Sequence, residues 1–173
     1  MRKRLWTPKR IVSIALIAGL YVALALAFAP ISYGAIQIRV SEALTLLPVL
    51  MPDAILGVTV GCFLANLFSM SPWDMLFGTL ATWIAAYMTL KLARIRWKGL
   101  PIASAIPPIL VNAVVIGAEI TYIFMPETAS IQILLWNMLS VGIGQTISCG
   151  ILGLLFVKAL EKFKFVQNMQ IKD

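Results

Sequence analysis

Arg39 and Glu42 stand three residues apart in Gln37-Ile38-Arg39-Val40-Ser41-Glu42-Ala43-Leu44, at the mouth of an apolar run. On a helix that spacing puts both side chains on one face. A charged side chain at the centre of a bilayer costs about 2.5–3.5 kcal/mol on the insertion scale. Such residues persist where they face a cavity, a partner or the headgroups. Asn66, Asp74, Asn112, Glu119, Asn137 and Gln145 are further polar residues set among apolar ones. Asn112 and Glu119 are seven apart and share a helix face. Carboxylates accept from paired N–H groups, and the amides of Asn and Gln both donate and accept. Such a set suits a planar, hydrogen-bond-rich solute, a cationic one included. Glu42 and Glu119 are the candidate carboxylates, Asn66, Asn112 and Asn137 the polar specifiers, and Arg39 orients Glu42.

The elements that position these residues follow from composition. The chain has 173 residues, 61% hydrophobic and 12% charged, with a mean hydropathy of +0.94. An ordinary soluble domain is about 45–50% apolar and about 25% charged, so the expectation is one all-α integral membrane domain over residues 1–173. A spanning helix takes about 20 apolar residues. Punctuation by Pro, Gly, Ser and Asp divides the chain into six spans, at about 10–29, 40–50, 54–68, 72–92, 103–124 and 131–160. The second is short, and Pro107-Pro108 either opens or kinks the fifth. The basic start followed by residues 11–29 imitates a signal peptide. That run is too long for a signal core and lacks an A-x-A site, so it reads as a retained span.

The net charge of +7 is concentrated beside apolar segments, at residues 2–10, 91–98 and 158–164. That is the positive-inside pattern, and there is no aromatic-interleaved basic groove for nucleic acid. Six spans put both termini and the 91–98 loop on one side, the cytoplasmic one. The 30–38, 69–71 and 125–130 connections face outward without Lys or Arg. The polar residues then gather in the outer half, with Asn112 and Gln145 near mid-membrane. Tyr33, Trp73, Tyr122 and Trp136 lie near the same end, as stacking groups or as an interfacial belt.

Two small-residue stripes stand out. Ala15, Gly19, Ala23 and Ala27 recur every fourth residue, either packing within the bundle or docking a separate subunit. Gly57, Gly61, Ala65 and Ser69 form the second. Asp53 reads as the N-terminal cap or first-turn carboxylate of the third span, and Ser71-Pro72-Trp73-Asp74 as a capping box.

Several functions are disfavoured. There is no histidine and no CxxC, so no metal or other cofactor is expected. No P-loop appears, no inverted halves, and no nucleophile with a base, so the chain reads as no enzyme. Three readings remain: a solute-binding membrane subunit, a stand-alone proton- or ion-coupled carrier using Glu42, Asp74 and Glu119 as a relay, and a purely structural subunit.

Ala29-Pro30-Ile31-Ser32-Tyr33-Gly34, the Arg39–Glu42 block, Gly61-Cys62-x-x-Ala65-Asn66-Leu67, Phe77-Gly78-Thr79-Leu80-Ala81-Thr82, Pro108-x-x-x-Asn112 and Gly117-Ala118-Glu119 resemble the QueT family. These are substrate-binding (S) components of energy-coupling factor transporters for queuosine precursors. The resemblance implies a solute that is queuine or a related deazaguanine bearing an aminomethyl or cyano group. It implies a T component and two ATPase subunits as partners, and a bacterial plasma membrane as location. It assigns Ala15, Gly19 and Ala23 to docking the T component. One departure is Gln145, where many members of the family have Glu; any ionic contact made there is lost.

Overall fold

The computed structural model describes residues 7–32, 38–68 and 71–162. All regular elements among them are helical. Helix α1 is Pro8–Ala27, followed by a single turn, α2, at Ala29–Ser32. A 3-10 helix at Val40–Val49 and helix α3 at Ala54–Leu67 come next. Three long helices complete the chain: α4 (Asp74–Leu92), α5 (Ile102–Phe124) and α6 (Ile131–Glu161). With α1 they make four helices long and apolar enough to cross a membrane; the 3-10 helix and α3 are shorter apolar helices. The expected loop over 30–38 is thus partly helical, and Tyr33 lies outside the described residues.

Local chemistry explains where the helices begin. The Thr7 hydroxyl accepts from Arg10 N, with Pro8 at the first helical position, where a missing N–H costs nothing. Ser71 Oγ accepts from Asp74 N at 3.3 Å, and Ser130 Oγ from Ile133 N at 3.3 Å. Asp53 occupies the N-cap position of α3, as expected. Its carboxylate caps nothing and instead takes both oxygens to the Arg10 guanidinium, at 2.9 Å from Nε. A charge-assisted fork outcompetes a single backbone N–H. Pro107 and Pro108 lie well inside α5. Pro108 has no N–H for the Ser104 carbonyl, and the Thr89 hydroxyl of α4 donates to that carbonyl at 2.9 Å. The helix-breaking residue becomes a helix-pairing one.

The 3-10 helix is the centre of the fold. Every residue from Ser41 to Leu50 is buried, among α1, α3, α4 and the late part of α6. Ten residues is long for this geometry, which rarely exceeds 3–4. Its rise of about 2.0 Å per residue carries the segment about 20 Å, against about 15 Å as an α-helix. Opposite it, α6 is wound loosely, as a π-helix, over Thr146–Gly153. Cys149 Sγ donates to the Glu42 carbonyl at 3.1 Å, and Thr45 Oγ1 donates to the same oxygen at 2.6 Å. A Cβ on Gly153 would come within 3.1 Å of the Ala43 carbonyl oxygen.

The two small-residue stripes do different jobs. Gly57 and Gly61 receive α1: a Cβ there would meet Ile17 Cβ at 2.8 Å and Tyr21 Cβ at 2.6 Å. Ala15, Gly19, Ala23 and Ala27 are all exposed, and a Cβ on Gly19 would meet nothing within 4 Å. Helix α1 therefore packs by its Ile17–Ala18–Tyr21 side and turns its small side outward.

The basic connection between α4 and α5 is a tight reversal. Trp97 and Leu100 exchange backbone hydrogen bonds around Lys98 and Gly99, both at positive φ. Arg96 from this turn pairs with Glu161 at the end of α6, at 2.7 Å.

Candidate functional site

Glu42, one turn into the 3-10 helix, is completely buried. Its Oε1 accepts hydrogen bonds from the Tyr21 hydroxyl of α1 and, at 3.3 Å, from the Thr82 hydroxyl of α4. Its Oε2 receives no donor among the described residues. The guanidinium of Arg39, one 3-10 turn earlier, is within electrostatic reach of Glu42, Asp74 and Glu119. The 3-10 winding aligns residues three apart, so Arg39 and Glu42 lie on one face of this helix.

Asp74 and Glu119 meet from different helices. Asp74 opens α4 in a π-wound turn, Asp74–Gly78, and is 8% exposed. Glu119 stands just before the π-wound end of α5, Ile120–Phe124, and is 3% exposed. Its carboxyl group pairs with that of Asp74, and neither Glu119 oxygen meets a donor from any other described residue. Gln145 likewise precedes the π-wound stretch of α6. Single π-turns in α-helices occur frequently at functional sites, and here three of the expected polar residues border one each.

Asn66 joins this group from α3. Its Nδ2 donates to the Asp74 carbonyl at 2.8 Å and contacts Cys62 Sγ at 3.5 Å. Gly78 makes room for it: a Cβ there would fall 2.8 Å from Asn66 Nδ2 and 3.9 Å from the Arg39 guanidinium. Gln145 lies near the same core helix, its Oε1 3.3 Å from Cys149 Sγ, whose single proton is shared between it and the Glu42 carbonyl. Asn112 is buried, and its Nδ2 donates to the Pro108 carbonyl of its own helix at 2.9 Å. Asn137 donates to Thr121 Oγ1 at 2.9 Å, tying α6 to α5. Arg39, Glu42, Asn66, Asp74 and Glu119 thus form one cluster, while Asn112 and Asn137 spend amide hydrogens on helix structure.

Two hollows touch the cluster. One of about 100 Å³ is lined by Tyr21, Ala25, Arg39, Ser41, Asn66 and Phe68. The other, of about 420 Å³, has Glu119 in its wall. Small-molecule sites typically occupy about 300–1,000 Å³. One cation faces three carboxylates across this region, three of whose oxygens meet no donor outside the Asp74–Glu119 carboxyl pair. A buried acceptor left unmade costs about 1–3 kcal/mol, more when charged, so the cluster is chemically prepared for a donor-rich or cationic partner. Among the described residues no group of His, Cys, Asp and Glu is arranged to hold a metal.

Sequence reasoning passed over Tyr21 and Thr82, which hold Glu42, and Cys149, which bridges Glu42 and Gln145. Tyr21 had a signal. It is two residues, about 200° of turn, from Gly19, so an outward small stripe forces its phenol inward. Trp73, Tyr122 and Trp136 are 49%, 54% and 70% exposed.

Among the described residues every regular element is helical, and four helices are long and apolar enough to cross a membrane, the make-up of a helical membrane protein. Residues 11–162 match the family described as QueT transporter, and the chain belongs to that family. It is similar to the queuosine precursor transporter QueT of Lactococcus lactis subsp. cremoris (strain MG1363), with 42% identity over 74 residues. That match covers 42% of this chain and 44% of the relative, so it spans less than half of either. No solved structure matches the chain.

Proposed function

We propose that this chain is the substrate-binding component of an energy-coupling factor importer, and that its solute is a deazaguanine precursor of queuosine. Arg39, Glu42, Asn66, Asp74 and Glu119 surround the base, with Asn112, Asn137 and Gln145 shaping the pocket from further out. The observation that carries this reading is the set of buried carboxylate oxygens on Glu42 and Glu119 that meet no donor outside the Asp74–Glu119 carboxyl pair, in a chain of a transporter family. Carboxylates take the paired N–H groups of a guanine-like edge. The base supplies the donors that the protein withholds.

The outward side of α1 supports the partner assignment. Ala15, Gly19 and Ala23 are exposed on the helix whose inner side, at Tyr21 and Ala25, lines the smaller hollow. A T component packs against this stripe and couples the chain to two ATPase subunits. Two ion pairs fit a single six-helix domain with its termini on the cytoplasmic side of a bacterial plasma membrane. Arg10–Asp53 and Arg96–Glu161 each join segments that such a threading puts on the same side.

Isothermal titration of purified protein with deazaguanine bases tests the binding role. Glu119→Gln sharply weakens binding while the protein stays folded; unchanged affinity removes Glu119 from the site. A second reading, a stand-alone proton- or ion-coupled carrier, draws on the contact between the Asp74 and Glu119 carboxyl groups. Liposomes decide between them, since concentrative uptake with no ATPase present rejects the importer-subunit role.

A further inference from the structure

The basic residues at the ends of α4 and α6 belong to one patch rather than two. The Arg96 guanidinium, in the turn after α4, pairs with Glu161 in the last turn of α6 at 2.7 Å and donates to the Gly99 carbonyl at 3.4 Å. Lys158 precedes Glu161 by three residues and shares its helix face, and Lys162 follows it. Lys91, Arg94 and Lys98 lie on the other arm, and these five cations are exposed. Both α4 and α6 are long and apolar enough to cross a membrane, so the patch stands where their ends leave it.

Topology alone asks for positive charge at such a place, and helix ends take up part of it. Each helix C-terminus carries about half a negative charge. Six cations, set against Glu161 and the C-termini of α4 and α6, still leave about +4. Apolar groups border the patch: Ile95, Trp97 and Leu155 are 58%, 65% and 61% exposed. A phosphate in water or an acidic soluble protein would leave these in contact with solvent. A lipid covers them with glycerol and acyl chain beneath its phosphate, a depth that indole rings favour.

The turn adds a second observation. Trp97 and Leu100 close a two-residue reversal, with Lys98 at φ +49° and Gly99 at φ +81°. Both central residues of such a turn need positive φ, which favours Asn-Gly. Lysine fits the left-handed region poorly. Here it holds its ammonium over the Trp97 ring, 5.1 Å from the centroid. A strained backbone thus presents a charge and an indole side by side.

We propose that this patch binds the headgroup of an anionic phospholipid. The phosphate meets Lys98, Lys158 and Lys162, and the Trp97 indole lies along the glycerol region. The assignment is independent of which solute the chain carries.

Native mass spectrometry of the full chain in an uncharged detergent counts bound lipid as dioctanoyl phosphatidylglycerol or phosphatidylcholine is titrated in. The two share phosphate, glycerol and chains and differ in net charge. The patch predicts a preference of about tenfold or more for phosphatidylglycerol; equal affinities overturn the proposal. Lys98→Asn supplies the residue this turn favours, so its melting temperature should hold or rise. Its affinity for phosphatidylglycerol should nevertheless fall about fivefold, and an unchanged value overturns the site. Lys158→Gln with Lys162→Gln tests the other arm, and a loss confined to Lys98→Asn overturns the joint patch. Glycerol phosphate displacing the lipid at equal concentration would assign the patch to a soluble phosphate. Polyglutamate doing so would assign it to an acidic protein. Either result overturns the lipid assignment.

Discussion

The Tyr21 hydroxyl of α1 donates to Glu42 Oε1 in the middle of the bundle. The helix with the exposed small stripe is thereby tied to the buried carboxylate of the central 3-10 helix. Tyr21→Phe keeps the ring against Gly61 and removes only the donor. Hydrogen bonds to charged groups contribute about 1.5–3 kcal/mol. The variant should unfold at lower temperature in detergent by a corresponding amount, and an unshifted melting curve would show that this bond contributes nothing.

The glycines of the two stripes should respond in opposite ways. At Gly61 a Cβ would sit 2.6 Å from Tyr21 Cβ, so Gly61→Val forces α1 away from α3. Overpacking of this kind costs about 1–3 kcal/mol. Gly19→Leu meets open space and should leave the isolated protein as stable as before. Its effect should appear only in assembly, as loss of co-purification with a T component. A Gly19 variant that destabilises the free chain would contradict the outward orientation of the stripe.

Cys62 and Cys149 are 1% and 0% exposed. Both should resist maleimide in the folded protein and react promptly once it is denatured. Rapid labelling of Cys149 in native protein would mean that the contact between α6 and the core helix opens readily.

The Arg10–Asp53 pair is 41% and 25% exposed in its side chains. Partly exposed pairs contribute about 0–1 kcal/mol, so Asp53→Asn should lower stability by no more than that. The loss should shrink as ionic strength rises. The reversed pair, Arg10→Asp with Asp53→Arg, should recover part of it.

Much of this arrangement was legible in the residues. Arg39 and Glu42 at spacing three, Asn66 at the end of an apolar run and Asp74 after a helix-starting Ser-Pro all come together. The apolar segments fall where Pro, Gly and Ser divide them. The winding did not show, because apolar content is the same whether a segment is 3-10, α or π. Only packing, such as Cys149 on the Glu42 carbonyl, selects among them. The direction of the α1 stripe was open for the same reason, since small residues at spacing four look alike from inside and outside. Asp53 stands at the start of α3 as its position suggested, but its ion pair did not show, because Arg10 is 43 residues away, beyond any local pattern. Asn112 shares a face with Glu119, yet its amide bonds the carbonyl of Pro108.

The ion pairs sit at the periphery, and the close glycine contacts sit deep between α1 and α3. Dissolved ions weaken the first kind of contact and are indifferent to the second, which depends on fit alone. Brine therefore frays the hem of this molecule and leaves its inner seam closed.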